Sequence, residues 1–389
     1  MFFRNWIVKY ELDFRTTAVS EVSKVNRVMV IFLAFSVLGA TLSVATRAVE
    51  AAVSARERAV ESLEVLLARY WNEDLLLFDA SDPCVDCNGT FHYWWMAHAI
   101  DGLLDGYELT GDDRYLEYVG KLHAGIRKRN GGHLFNDYYD DMLWMGLALL
   151  RAHELSGNEE YFNDARRLWF DIRGGWNDHY GGGIAWRKTQ RDYKNAPANG
   201  PAVILCARLY AKTGDKDYLD WAKRIYTWLD THLVDPRTWI VWDGINRQGD
   251  GAIDKAWRFT YNQGTYIGAS VALWEATGEG VYLQKARRTA MASQVHLTDA
   301  QGIFQGEGQG DGGLFKGILI RYLVELLRVD PTVPLIKDAL IANAESAWLA
   351  RTKEGTFGPR WKLPVHSGPV DLSTNLSGVM LQVLTARLD

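Results

Sequence analysis

Four copies of one helix-turn-helix pattern constrain this chain more than any other feature. YELTGDDRYLEYV (107–119) returns as HELSGNEEYFNDA (153–165), YAKTGDKDYLDWA (210–222) and WEATGEGVYLQKA (274–286). Each copy reads as the end of one helix, a Ser/Thr-Gly turn and the start of the next. Gly111, Gly157, Gly214 and Gly278 stand where a helix C-cap takes the left-handed conformation, which glycine adopts without a Cβ penalty. Asp112, Asn158, Asp215 and Glu279 follow, where an acidic or polar residue suits the next N-terminus.

Extending that frame predicts twelve helices. Those over 52–71, 114–129, 159–172, 216–233, 281–296 and 333–350 are charged on one face and read as outer helices. Those over 93–110, 140–156, 199–213, 263–277, 312–328 and 373–387 are apolar nearly all round and read as inner ones. The two kinds alternate, so six antiparallel pairs closing on themselves predict an all-α (α/α)6 barrel. The run TWIVWD (238–243) is the one candidate for a short strand.

In such a barrel every inner helix starts at the same end. The starts here are polar and aromatic: FHYWW (91–95), DYYDD (137–141), KNAPANG (194–200), FTYNQG (259–264), GQGDGG (308–313) and DLSTN (371–375). Six such clusters around one mouth predict a concave ligand site. The chain's 16 Trp and 18 Tyr serve the core, and at helix starts they also suit stacking on sugar rings.

Asp140 and Asp141 lie side by side at that mouth, behind Tyr138 and Tyr139. Capping would explain one of them, by about 0.3–1 kcal/mol of helix-dipole interaction. Two adjacent acids facing a cleft fit glycoside hydrolysis, which needs a proton donor and a second carboxylate at the developing oxocarbenium ion. Consecutive helical residues place their carboxyls about 5–6 Å apart, in the range of a retaining mechanism. Ionising one then raises the pKa of the other.

Further candidate ligand residues are Trp94 and Trp95, one for the core and one for the cleft, together with Tyr139 beside the acids. Asn195 and Asn199 share a helix face and suit either sugar hydroxyls or capping. Tyr261, Asn262 and Gln263 present the same choice, Trp186 lies in a Gly-rich loop or surface hairpin, and Asp311 is a third acid or a cap. No strand precedes the G-x-G-x-x-G at 308–313, and the nine His show no metal spacing, so no cofactor is expected.

The segments YYDDMLWMGLALLRA, GGGIAWRK, KNAPANGPAVILCARLY, RFTYNQGTYIGA and GDGGLFKGILIRYL resemble glycoside hydrolase family 76, the endo-α-1,6-mannanases and related fungal wall transglycosidases. The likeness spans most of 85–389. It implies an (α/α)6 fold, retention of configuration, α-mannan as substrate, Asp140 as nucleophile and Asp141 as general acid/base. The rival readings are another enzyme on the same barrel, such as a transglycosidase, an unsaturated glycuronyl hydrolase or a sugar epimerase, and a non-catalytic glycan-binding module. Uronate recognition favours basic residues at the mouth, where acids, amides and aromatics prevail. A binder gains nothing from a tandem acid.

Ahead of the barrel (46–389) stand a leader (1–27) and an uncharged apolar stretch (28–45) behind Lys24 and Arg27. That stretch reads as a signal-peptide h-region or a membrane anchor, so the protein is expected outside the cell, secreted or attached by its N-terminus. The chain ends without a hydrophobic tail and so without the lipid-anchor signal of the fungal wall members. A net charge of −5 and the lack of a basic stripe argue against nucleic acid, and the chain is expected to act as a monomer. Cys84 and Cys87 suit a small loop disulfide, and Cys206 a core position.

Overall fold

The repeated turn builds the closed end of the molecule. In the structure, a computed structural model that describes residues 53–364 and 368–388, Gly111, Gly157, Gly214 and Gly278 take φ of 73, 72, 71 and 72°. The hydroxyl before each glycine (Thr110, Ser156, Thr213, Thr277) donates to the carbonyl four residues back. The same hydroxyl accepts the amide two residues on, at 3.2 Å in every copy. One short side chain thus links the last turn of one helix to the backbone amide that leads into the next. Asp112, Asn158 and Asp215 then cap the following turn through backbone amides. Glu279 makes no such bond; its carboxylate pairs instead with Lys223 (3.0 Å). The leader and the stretch 28–45 lie outside the described residues.

Twelve α-helices follow among the described residues: α1 (Ala55–Tyr70), α2 (Tyr93–Thr110), α3 (Arg114–Arg129), α4 (Tyr139–Ser156), α5 (Glu159–Ile172), α6 (Ala196–Thr213), α7 (Lys216–Leu233), α8 (Thr260–Thr277), α9 (Gly280–His296), α10 (Gly312–Val329), α11 (Pro334–Ala350) and α12 (Leu372–Thr385). The even-numbered helices pack side by side in the order α2, α4, α6, α8, α10, α12, and α12 returns to α2. The odd-numbered helices pack outside that ring, α3 on α2, α5 on α4, α7 on α6 and α9 on α8. This is the (α/α)6 barrel expected from the pattern. All inner helices start at the end where the long connections run, and that end is the mouth.

The short strands belong to the mouth. β1 (Trp71–Asn72) pairs with β2 (Leu77–Phe78), and β3 (Ser81–Asp82) with β7 (Val370–Asp371). β4 (Ala185–Arg187), β5 (Gln190–Asn195) and β6 (Gly244–Ile245) form an antiparallel three-stranded sheet. The strand expected over 238–243 is absent. Trp239 turns with φ of 64°, only Val241 bridges to Val234, and the paired residues begin at Gly244. A helix over 196–198 was not expected either, and Asn195, whose side chain accepts the Ala198 amide (3.2 Å), starts α6 there.

The inner helices carry more charge than their apolar character implies. Asp105 of α2 is fully buried, bonded by Arg151 of α4 (2.5 Å) and by both nitrogens of Arg321 of α10 (3.1 and 2.7 Å). Burial alone would raise its pKa, but the two guanidinium groups override that and hold it down at about 2. Arg151 also bonds Asp101 (3.0 Å) and Glu108, and Arg387 reaches Glu108. One carboxylate therefore ties three inner helices together. Asp105→Ala leaves two buried cations facing each other, and denaturant titration should show a loss of about 3–5 kcal/mol. A loss below about 1 kcal/mol would mean that the cluster does not fasten the ring.

Candidate active site

Asp140 and Asp141 open α4, and their surroundings differ. Asp140 is only 8 % exposed and accepts the Asp141 amide at 3.0 Å, while the side chains of Trp186 and Asn195 also donate to it. Asp141 is half-buried and receives one side-chain donor, Asn136 Nδ2 at 3.0 Å. Asn136 also accepts the Tyr138 amide (3.0 Å), so the turn before α4 holds that donor in place. Burial is the main cause that raises both carboxyls. For Asp140 the donors oppose it, leaving its pKa at about 7. For Asp141 the charge of Asp140, and then that of Asp311, adds to burial and lifts it well above the usual carboxylate range. The pair thus holds its negative charge on Asp140 and its proton on Asp141.

The wall around the acids comes from four inner helix starts. Trp94 is half-buried and Trp95 buried, and both indoles donate to one oxygen of Asp311 (2.9 and 3.0 Å). His92 stacks on Trp95 at 3.7 Å. Asp311 makes no cap bond to α10; it holds the two tryptophans. Tyr261 stacks on Phe315 (3.8 Å, 5° between planes), and its hydroxyl donates to Asp243 (3.3 Å). Asp243 is buried and also receives Tyr193 (2.7 Å) and Asn262 (3.2 Å). Trp186 lies edge-on to Tyr138 (5.1 Å) and to Tyr193 (5.6 Å), which links this group to the Asp140 side.

Four expected ligand residues have other work. Asn199 is fully buried; its amide accepts from Ile184 N (2.8 Å) and donates to Ile184 O (3.0 Å). Gln263, also fully buried, does the same for Val241 N and O (2.8 Å each). Asn262 is fully buried on Asp243. The Tyr139 ring is buried against Gly175, behind the acids. Asn199 and Gln263 share a reason: long mouth loops bury their backbone, and each buried amide and carbonyl needs a partner. Asn375 makes half of this clamp, accepting Phe357 N (3.0 Å). All three amides are the fourth residue of their helix.

Asp243, Tyr193, Asn136 and Phe315 were not anticipated, because nothing local separates them from other loop and helix residues. Asp243 lies in the segment expected as a strand. Two side-chain clusters have metal-like spacing among the described residues. Cys84–Cys87 of the first is a disulfide, and Arg127 bonds Glu160 and Asp164 in the second (3.1 Å each).

A ring of helices whose mouth holds two adjacent acids, one buried and one half-buried, among aromatics defines a carbohydrate-active enzyme on an (α/α)6 barrel. The chain belongs to glycosyl hydrolase family 76, whose model matches residues 54–387. The GH76A α-1,6-mannanase from Salegentibacter sp. HEL1_6 is 42 % identical, with a TM-score of 0.82 over 86 % of this chain and all of that one. An inactive variant of that mannanase, with two aspartates replaced by alanine, was solved in complex with α-1,6-mannotetrose and superposes with a TM-score of 0.83 at 41 % identity over 86 % of this chain and all of that one. The mannan endo-1,6-alpha-mannosidase DCW1 of Candida glabrata is 26 % identical over 340 residues, 76 % of this chain and 73 % of that protein.

Two measurements check these assignments. Asn199→Ala and Gln263→Ala should each cost about 1–3 kcal/mol of stability in denaturant titration, because each strands a loop amide and carbonyl. Asp140 binds a proton more tightly folded than unfolded. Its burial therefore subtracts stability as pH rises from about 4 to about 7. Asp140→Asn should remove that slope and gain roughly 1–3 kcal/mol over the parent at pH 8 relative to pH 4. Parallel pH–stability curves would sink the assignment.

Proposed function

We propose that the chain is a retaining endo-α-1,6-mannanase with Asp140 as nucleophile and Asp141 as general acid/base. The observation that carries the roles is the unequal solvation of the two carboxyls: the donors on Asp140 favour its anion, and that anion keeps the proton on Asp141. Asp140 attacks the anomeric carbon while Asp141 gives its proton to the leaving glycosidic oxygen, forming a mannosyl ester and a shortened chain. Water, losing a proton to Asp141, then cleaves the ester and restores both groups with the starting configuration. The aromatic rim suits the faces of sugar rings, and the chemistry requires no cofactor.

Support for the substrate comes from the relatives, several of which bear the name mannan endo-1,6-alpha-mannosidase. The inactivated Salegentibacter enzyme, lacking two aspartates yet solved with α-1,6-mannotetrose, fits a tandem acid that does chemistry rather than binding. A polymeric mannan lies outside its consumer, so the reading includes export, and the Cys84–Cys87 disulfide agrees with an oxidising compartment. Both acids and the whole mouth come from one chain, so a monomer suffices.

Asp140→Asn and Asp141→Asn should each lower turnover of linear α-1,6-mannan at least ~100-fold. Calorimetry should still detect mannotetraose binding. Activity of the parent should follow a bell in pH, its acid limb above the usual carboxylate range. NMR should show the α-anomer as the first product. Release of monosaccharide alone would rule out the endo reading, and the β-anomer would rule out retention.

A further inference from the structure

One face of the mouth has a role that the acid pair's chemistry can assign. A cavity of about 520 Å³ opens beside α4, walled by Phe91, Phe135, Asn136, Tyr138 and Asp141. It has Asp141 on its wall and not Asp140. Trp186 and Asn195, the donors to Asp140, stand outside it. The two acids therefore face different compartments. Asp140 looks toward β4, the start of α6 and the Asp243 group; Asp141 looks toward the loop 130–138.

That loop is held rigid. Asn130 Nδ2 donates to the carbonyls of His133 and Phe135, at 2.9 Å each. Lys188 N donates to Asp137 O (2.8 Å), and Thr189 Oγ1 to Asp137 Oδ2 (2.7 Å), which ties the loop to the hairpin opposite. The pinned loop presents the Phe135 ring, 42 % exposed, at the edge of the cavity. A single exposed ring is ordinary on a protein surface; this one, with Lys188 Nζ 6.0 Å from its centroid and the His133 ring 6.0 Å away, stands on a fixed backbone beside a proton donor. The C–H face of a pyranose is a fitting partner for it.

The geometry points to this cavity as the site of the leaving-group sugars, with Phe135 as their stacking platform. The inference rests on the roles proposed above: the oxygen that takes the Asp141 proton belongs to the departing sugar, so that sugar lies on the Asp141 side of the cut. The glycone lies across Asp140, toward Trp186 and Tyr261. The substrate then runs in one direction across the mouth, its reducing end over the 130–138 loop. Phe135 contributes to specificity for what departs, and for what a transfer reaction would accept, without touching the anomeric carbon.

The test compares two substrates of the full-length protein. α-1,6-Mannotetraose fills the cavity with sugar, whereas α-1,6-mannobiosyl fluoride leaves as fluoride and keeps it empty. Phe135→Ala should lower kcat/KM on the tetraose about three- to tenfold and leave the fluoride within about twofold of the parent. Phe135→Trp should restore the tetraose rate, since it replaces one flat apolar face by another. Equal loss on both substrates, or no loss on the tetraose, would overturn the assignment. A parent enzyme that cuts neither substrate would overturn the mannanase reading itself, and that outcome shows before any variant is compared.

Discussion

Buried backbone in the mouth loops is the constraint on which the site depends. A ring of parallel inner helices needs long connections at one end only, and some of that chain is buried where water cannot reach it. Asn199 takes both polar groups of Ile184, and Gln263 both of Val241, each from the fourth position of an inner helix. Two residues beyond each clamp stands a side chain of the site: Trp186 on Asp140, and Asp243 under Tyr193 and Tyr261. A slack loop would cost Asp140 its Trp186 donor. An amide that binds no sugar can therefore still set the charge on the acid pair.

The two ends of the barrel use buried charge in opposite ways. At the closed end Asp105 has two guanidinium partners and stays ionised far below neutral pH. At the mouth Asp140 and Asp141 have hydrogen-bond donors but no cation bonded to them, and burial dominates. The first arrangement fastens helices; the second keeps a proton available near neutral pH at a cost in stability. Residue type is the same in both. The partners decide whether an aspartate is a rivet or a reagent.

The barrel was legible because its signal is local and repeated. A glycine with positive φ, a Ser/Thr hydroxyl before it and a polar residue after it are requirements of a short turn, and they need no distant partner. The acid pair was legible for a similar reason, since two adjacent carboxylates at a helix start are conspicuous without coordinates. The amides were not. Asn195 and Asn199 are four residues apart on one helix, yet one donates to Asp140 and the other clamps a loop. Their sequence context is alike, and the difference lies in what each meets 15 or more residues away along the chain.

What the sequence alone determined is what neighbouring residues dictate: twelve alternating helices, their shared polar end, and the tandem aspartate at that end. Tertiary structure decided which polar side chains face the substrate and which fasten the loops. It also decided that Asp243 joins the site, and that Asp140 and Asp141 receive unequal numbers of donors. The physical reason is that desolvation and hydrogen bonding depend on atoms brought together from distant parts of the chain. Periodicity carries the positions of helices, but the environment of a carboxyl exists only once the ring has closed around it.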